Sequence, residues 1–103
     1  MKTFGTHNYY VYILTNKNHQ VLYIGVTNEL RSRIQQHIND AQTVKKTFAG
    51  RYNCIHLVYY ERFDNVNDAI RREKELKGWK RERKEALINA VNPNWDFIVE
   101  QPE

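Results

Sequence analysis

The pattern of apolar and polar residues divides the chain into short extended segments and longer helical ones. Residues 9–14 and 21–26 are rich in aromatic and β-branched side chains, which is typical of strands, and residues 15–20 between them form a polar turn. Because this loop is short, the two strands are predicted to pair as an antiparallel hairpin. A third strand is predicted over residues 55–61.

Other apolar residues recur at helical spacing. Leu30, Ile34 and Ile38 fall on one stripe, and Asn28 precedes them as a helix cap. Residues 39–53 have no clear period, so they are predicted to form a loop with one helical turn at most.

Two further helices are predicted after the third strand. The first follows its cap, Asn65, and ends at Gly78. Its apolar stripe consists of Val66, Ile70 and Leu76. The second covers residues 82–91 and ends at Asn92-Pro93. Its core-facing positions are predicted to be Ala86, Leu87, Ala90 and Val91.

The order of elements is strand, strand, helix, strand, helix, helix. It indicates an α+β fold with a small antiparallel sheet covered by helices. A length of 103 residues predicts a single domain over residues 1–103, with Trp95 and Phe97 docking the C-terminal tail.

Composition narrows the protein class. Cys54 is the only cysteine, which excludes an internal disulfide and a cysteine-based zinc cluster, and its apolar neighbours predict a buried, inert thiol. No run of about 18 apolar residues is present, and the first residues lack the apolar segment of a secretory signal. We therefore expect a cytoplasmic protein that does not span a membrane.

Basic residues are concentrated in one segment rather than spread along the chain. The net charge is only +4, but residues 71–85 contain eight basic and four acidic side chains. Two interpretations are open, a solvated helical face with i,i+4 ion pairs and a phosphate-binding surface. For the second, the predicted nucleic-acid contacts are Arg72, Lys77 and Arg81.

Tyrosines mark the predicted hairpin. A loop over residues 15–20 would place Leu14 opposite Val21, and Tyr12 would then face Tyr23 on the same side of the sheet. The pair is either an ordinary cross-strand aromatic contact or part of a site.

Arg33 and His37 lie four residues apart on the first helix and share a face. They are either plain surface residues or a phosphoryl-transfer pair, because a guanidinium can fork onto a phosphate and an imidazole titrates near neutral pH. His7 and His19 are predicted to face solvent, and His56 lies on a sheet face with no assigned chemistry.

Glu73 is the main anomaly of its helix, because it falls inside the apolar stripe between Ile70 and Leu76. A carboxylate directed toward a core needs a partner or a metal, since burying a bare charge is costly. Lys77, at i+4, could supply an ion pair. Otherwise Glu73 would bind one hard cation such as Mg²⁺ or Mn²⁺, largely coordinated by water.

Together these residues resemble the GIY-YIG nuclease motif, and in particular its short bacterial single-domain members. Tyr23-Ile24-Gly25 matches the second half letter for letter, whereas Tyr10-Val11-Tyr12 has tyrosine where the family usually has glycine. The other motif positions match Arg33, His37 and Glu73. The resemblance covers roughly residues 8–97 and includes the closing Asn92-Pro93.

The resemblance implies a three-stranded antiparallel sheet flanked by helices, with these residues around one cleft. It further implies that Glu73 holds the metal, Arg33 stabilises the phosphate charge, Tyr23 orients water or phosphate, and either Tyr12 or His37 takes the proton from water. The implied activity is that of a metal-dependent endonuclease acting on DNA, as in DNA repair, with branched or damaged DNA as candidate substrates and with a protein partner for targeting. The alternative is a non-catalytic nucleic-acid-binding module. One departure from excision-repair relatives is Val26, where they carry a lysine.

Overall fold

The computed structural model describes residues 8–43 and 52–102, which form one sheet and three helices. The elements in chain order are β1 (Tyr9–Thr15), β2 (Leu22–Thr27), α1 (Leu30–Thr43), β3 (His56–Phe63), α2 (Val66–Lys77) and α3 (Arg81–Val91). The predicted α+β class and the predicted order of elements are confirmed.

The sheet separates two helical layers. Its strands pair antiparallel in the order β2-β1-β3, so β1 is central and β2 is an edge strand. Tyr10, Tyr12 and Leu14 pack toward α1, whereas Val11 and Ile13 pack toward α2 and α3. Because both faces are covered, β1 is an unbroken apolar run rather than an alternating one.

The register of the hairpin differs from the predicted one by two residues. Tyr12 lies opposite Gly25 rather than Tyr23, and Tyr23 lies opposite Leu14. A shift of two residues leaves every side chain on its original face. The two tyrosines therefore remain on the α1 side of the sheet, as diagonal neighbours instead of a directly opposed pair.

The turn explains the shift. The strands close at Thr15 and Leu22, and the carboxamide oxygen of Asn16 accepts the backbone N–H groups of Gln20 and Val21 at 2.7 and 3.0 Å. This side chain folds the turn in the way that asparagine commonly does. The sequence pattern alone did not show where the pairing would begin.

Helix α1 is longer than predicted. It continues to Thr43, because its buried stripe extends through His37 and Ala41. A small residue such as alanine contributes little to an apolar pattern, so the predicted loop began too early. At the start of the helix, Thr27 Oγ1 accepts the Glu29 N–H at 3.0 Å, a role that had been expected of Asn28. The rest of that predicted loop, residues 44–51, lies outside the described residues.

Helix α2 begins where expected, but a different stripe is buried. Asn65 Oδ1 accepts the N–H groups of Asn67 and Asp68, as a helix cap does. Ala69 and Leu76 are fully buried. Two predicted core residues are exposed instead, namely Val66 and Ile70. The buried stripe is rotated by one residue, and it still includes Glu73.

Helix α3 also differs on its core side. Ile88 is fully buried and Leu87 packs against the same cluster, but Val91 is 70% exposed. The predicted core positions Ala86 and Ala90 are exposed as well. Small alanines do not indicate which side of a helix faces inward, since they are tolerated on either side.

The C-terminal tail docks through aromatic contacts. Phe97 stacks on His56 with ring centroids 3.9 Å apart, and Trp95 lies 5.0 Å from His19. His19 is therefore partly buried rather than solvent-facing, and His7 lies outside the described residues. Cys54 is fully buried and burial raises its thiol pKa to about 11, in agreement with an inert thiol.

Helices of membrane-spanning length and apolarity are absent from residues 8–43 and 52–102.

Gly25 is the position where the sheet accepts no side chain. A Cβ there would lie 2.9 Å from Cε2 of Tyr12 and closer still to the phenol oxygen. At Gly78 the nearest atom is the Glu75 carbonyl at 3.5 Å, and the backbone is right-handed, with φ −82°. The first glycine is required by packing, and the second is not.

We expect Gly25→Ala to lower the free energy of unfolding by about 1–3 kcal/mol, because the Tyr12 ring must move. Gly78→Ala is the matched control and should change it by less than about 1 kcal/mol, in the stabilising direction. Urea unfolding of both variants measures the difference. Equal effects would show that the contact between Tyr12 and Gly25 does not constrain the fold.

Candidate active site

The candidate site is centred on the phenol of Tyr12 in the central strand. This side chain is 1% exposed, and its hydroxyl lies 2.9 Å from Nε2 of His37 on α1. Tyr23 stands beside it on β2, with ring centroids 6.3 Å apart. The absence of a side chain at Gly25 leaves the space that the phenol fills.

His37 completes a cluster of three rings. It lies on the buried stripe of α1, three residues after Ile34, and is 5% exposed. Its ring centroid is 5.0 Å from that of Tyr23 and 5.9 Å from that of Tyr12. Within the described part of the chain, its Nδ1 is buried without a hydrogen-bond partner. The imidazole is thus held by aromatic packing and by one polar contact.

Burial controls the protonation of the cluster. It is the main cause that raises the pKa of Tyr12, and the charges of Tyr23 and Glu73 raise it further, while Arg33 opposes them. Burial also lowers the pKa of His37, and the Arg33 charge lowers it further. At neutral pH the phenol is therefore protonated and the imidazole is neutral.

Glu73 approaches this cluster from the other layer of the fold. Its helix packs on the face of Val11 and Ile13, whereas Arg33 lies on the helix that covers Tyr12. Because β2 is an edge strand, side chains from the two helical layers can approach each other around its outer edge. Both charges act on one phenol, since Glu73 raises and Arg33 lowers the pKa of Tyr12. Tyr12, Tyr23 and His37 are thus in contact, and Arg33 and Glu73 are near enough for their charges to act on Tyr12.

Glu73 has an ion-pair partner. Its side chain is 15% exposed, and its Oε2 lies 2.9 Å from Nζ of Lys77, so the predicted i,i+4 pair is present. Groups of three or more His, Cys, Asp or Glu side chains suited to a metal are absent from the described residues. A single carboxylate fits a hard cation that keeps most of its water or takes phosphate oxygens, as Mg²⁺ commonly does.

Arg33 is less constrained than the other site residues. It is partly exposed, and its Nη1 donates to Gln36 Oε1 at 3.2 Å on the surface of α1. A single exposed hydrogen bond to a neutral amide is easily exchanged. The guanidinium can therefore reorient toward a phosphate without leaving a buried group unpaired.

Arg72, predicted to contact nucleic acid, is engaged within the protein. Its Nε and Nη2 donate to Glu61 at 2.9 and 2.8 Å, and its Nη1 donates to Glu75 at 2.8 Å. The hydroxyl of Tyr59 also donates to Glu61. Burial acts to raise the pKa of Glu61, but the hydrogen bonds from Arg72 and Tyr59 hold it below its usual value. This network joins α2 to β3.

Arg81 is engaged in a similar way. Its guanidinium donates to the backbone carbonyls of Gln20 and His19 at 2.6 Å each, and to Glu85 at 2.7 Å. These bonds connect α3 to the hairpin turn. Lys77, the third predicted contact, pairs with Glu73.

The sequence reasoning assigned no structural role to three residues: Gly25 and Lys84, which lie beside the site tyrosines, and Glu61, which anchors α2 to β3. Gly25 had a detectable signal, since glycine inside a strand often marks a close approach. Glu61 and Lys84 had none. Glu61 gains its role from Arg72 eleven residues away, and Lys84 lines a groove with Tyr23.

Comparison with known proteins agrees with this geometry. The family model described as the GIY-YIG catalytic domain matches residues 8–86. A UPF0213 protein of Natronomonas pharaonis is 37% identical over 81 residues, covering 79% of this chain and 91% of the relative. A UPF0213 protein of Bacillus pumilus is 35% identical over 85 residues, covering 82% of this chain and 83% of the relative.

A solved structure shows the same fold. The solution NMR structure of a UPF0213 protein from Bacillus halodurans has a TM-score of 0.53 and 31% identity, and the alignment covers 85% of this chain and 89% of that one. The names of these relatives state no activity. The matched range spans the hairpin tyrosines, Arg33, His37 and Glu73. The chain therefore belongs to the GIY-YIG family of nuclease domains and is similar, within it, to the UPF0213 proteins.

Proposed function

We propose that this protein is a metal-dependent endonuclease that hydrolyses phosphodiester bonds of DNA, with branched or damaged DNA as the preferred substrates. The observation that supports it most directly is the hydrogen bond between Tyr12 and His37, together with the action of the Arg33 and Glu73 charges on the same phenol. A proton acceptor, a cation and a carboxylate that can hold a metal are groups that together can catalyse phosphodiester hydrolysis.

The two residues that could act as the base operate as one unit in this proposal. Tyr12 alone is a poor base, because its raised pKa disfavours the phenolate. Neutral His37 can accept the phenol proton through Nε2, provided that Nδ1 carries the ring proton. Water then gives its proton to the Tyr12 oxygen while the Tyr12 proton passes to His37. The resulting hydroxide attacks phosphorus, and the bond to the 3′ oxygen breaks.

The remaining residues act on the phosphate. Arg33 binds a non-bridging oxygen and stabilises the charge that develops there. Tyr23 orients the water or the phosphate through its hydroxyl. Glu73 would hold the divalent ion, which when bound would supply positive charge to the phosphate and the leaving oxygen. Targeting by a separate protein partner is part of the proposal, because both arginines that were predicted to bind DNA, Arg72 and Arg81, form hydrogen bonds within the fold.

We expect Glu73→Gln and Arg33→Ala each to reduce cleavage at least about 100-fold, because each removes a charge that acts on the phosphate. Labelled single-stranded, duplex, flap and four-way DNA with Mn²⁺ provide the assay. Glu82→Gln is the control, since it neutralises an exposed carboxylate on α3 and should retain activity.

Two outcomes would count against the proposal. If the wild-type protein cleaves no DNA or RNA with Mn²⁺ or Mg²⁺, it is not a nuclease under these conditions and the catalytic assignment fails. Salt-sensitive DNA binding that survives Glu73→Ala without any cleavage would favour the non-catalytic binding module instead. Circular dichroism of each variant checks that the fold is retained.

The proton route requires neutral His37, and this predicts a dependence on pH. Burial holds the pKa of His37 in the folded state below the ordinary imidazole value of about 6.5, so the unfolded chain binds more protons as the pH falls below that value. The contribution of His37 to stability is therefore complete above about pH 6.5 and is lost as the pH falls through the folded pKa.

We expect the free energy of unfolding to fall between about pH 7 and pH 5, and to fall less in His37→Gln, which cannot be protonated. His56 also has a lowered pKa, so His56→Gln serves as the comparison for a site outside the ring cluster. Urea titrations across this range give the measurement. An identical pH dependence in wild type and His37→Gln would mean that His37 is not held neutral by the fold.

A further inference from the structure

Lys77 forms an ion pair with Glu73, the carboxylate that is proposed to bind the metal. Its Nζ lies 2.9 Å from Oε2 of Glu73, and the Glu73 side chain is only 15% exposed, whereas Lys77 is 54% exposed. Two cations in contact with one largely enclosed carboxylate repel each other strongly. Lys77 and a metal therefore compete for Glu73, and the lysine is the partner that can swing into solvent.

A groove that could bind an anion lies within reach of the same lysine. A groove of about 270 Å³ beside the edge strand β2 is lined by Leu22, Tyr23, Ile24, Lys77 and Lys84. This lining contains two cations and no carboxylate. The outer edge of β2 carries backbone groups without a strand partner in the described sheet, which adds polar contacts. The groove is complementary to a polyanion.

Tyr23 connects this groove to the ring cluster. Its ring packs against Tyr12 and His37, and it also lines the groove with the two lysines. A strand whose reacting phosphate lies at Tyr12 would therefore bring another of its phosphates beside Lys84. Because Tyr23 borders both, the site of the reacting phosphate and the site of the second phosphate lie next to each other.

We propose that Lys77 and Lys84 form a phosphate subsite for the DNA strand that is cut, and that Lys77 joins it only when Glu73 takes up a divalent metal. The inference rests on the proposed function, because it takes Glu73 as the metal ligand. Before the metal binds, Lys77 neutralises Glu73. After the metal binds to Glu73, the released lysine contacts the DNA backbone, so metal binding and DNA binding favour each other.

The first test measures metal binding to the free protein. Isothermal titration with Mn²⁺ compares wild type with Lys77→Met, Lys84→Met and the control Lys74→Met, which removes an exposed lysine of the same helix that does not line the groove. Lys77→Met should bind Mn²⁺ about two- to fivefold more tightly, because the metal no longer displaces an ion pair. The other two variants should bind as wild type does.

The second test measures DNA binding without cleavage. Fluorescence anisotropy of a labelled duplex is followed over a range of salt concentrations in the Arg33→Ala background, with Mn²⁺ or with EDTA. Loss of one phosphate contact lowers the slope of log K against log salt by about 0.9. Lys84→Met should show this loss in both conditions, Lys77→Met only with Mn²⁺, and Lys74→Met in neither.

The outcomes separate the two proposals. The same Mn²⁺ titration of Glu73→Gln tests the metal site itself: if this variant binds Mn²⁺ as wild type does, the metal site of the proposed function fails, and the proposed release of Lys77 fails with it. If Glu73→Gln abolishes Mn²⁺ binding but Lys77→Met leaves it unchanged, only the proposed release of Lys77 is overturned. A slope change in Lys77→Met that is equal with Mn²⁺ and EDTA, or no slope change in Lys84→Met, also overturns it. Thermal unfolding of each variant confirms that the fold is intact.

Discussion

The close packing of the Tyr12 phenol over Gly25 is the contact on which the rest of the site depends. It is possible because Gly25 has no side chain, and it positions the phenol oxygen 2.9 Å from Nε2 of His37. That bond joins the central strand to α1 inside a buried cluster, where a hydrogen bond is electrostatically stronger than in water. The same burial raises the pKa of Tyr12 and lowers that of His37. Packing and protonation thus have one physical cause.

The opposite layer has a different task, which is to bring a carboxylate to the same edge of the sheet. The Glu61 carboxylate on β3 receives two bonds from Arg72, the residue before Glu73, and this anchors α2 to the sheet. Both partners are largely covered, so the pair is less screened than an exposed one. Arg81 anchors α3 to the hairpin turn in the same manner. Some cations of the basic segment therefore stabilise the fold, and others remain for a polyanion.

The contacts around Glu73 distinguish a cation that stabilises the fold from a cation that can change partner, a difference that the sequence does not show. Lys77 and Arg72 lie on one helix and were both candidates for nucleic-acid contact. Arg72 is held by two carboxylates and one aromatic ring, with its guanidinium 5.2 Å from the Trp79 centroid. Among the residues that the structure describes, Lys77 has one ion-pair partner, and its side chain is more than half exposed. Only Lys77 can change partner at little cost, because release of Arg72 would leave the largely covered Glu61 carboxylate without its ion pair.

The sequence by itself determined the order and type of the elements, the α+β class, and the identity of the tyrosines, Arg33, His37 and Glu73 as candidates. Periodicity, caps and a motif are local signals, and they survive in any tertiary context. The tertiary structure decided the hairpin register, the face of α2 that is buried, and the partners of Arg72. Ala69 rather than Ile70 faces the core because helix rotation follows packing against β1, and a period of 3.6 residues does not specify that rotation. The action of the Glu73 charge on Tyr12 likewise arises only when both layers are assembled.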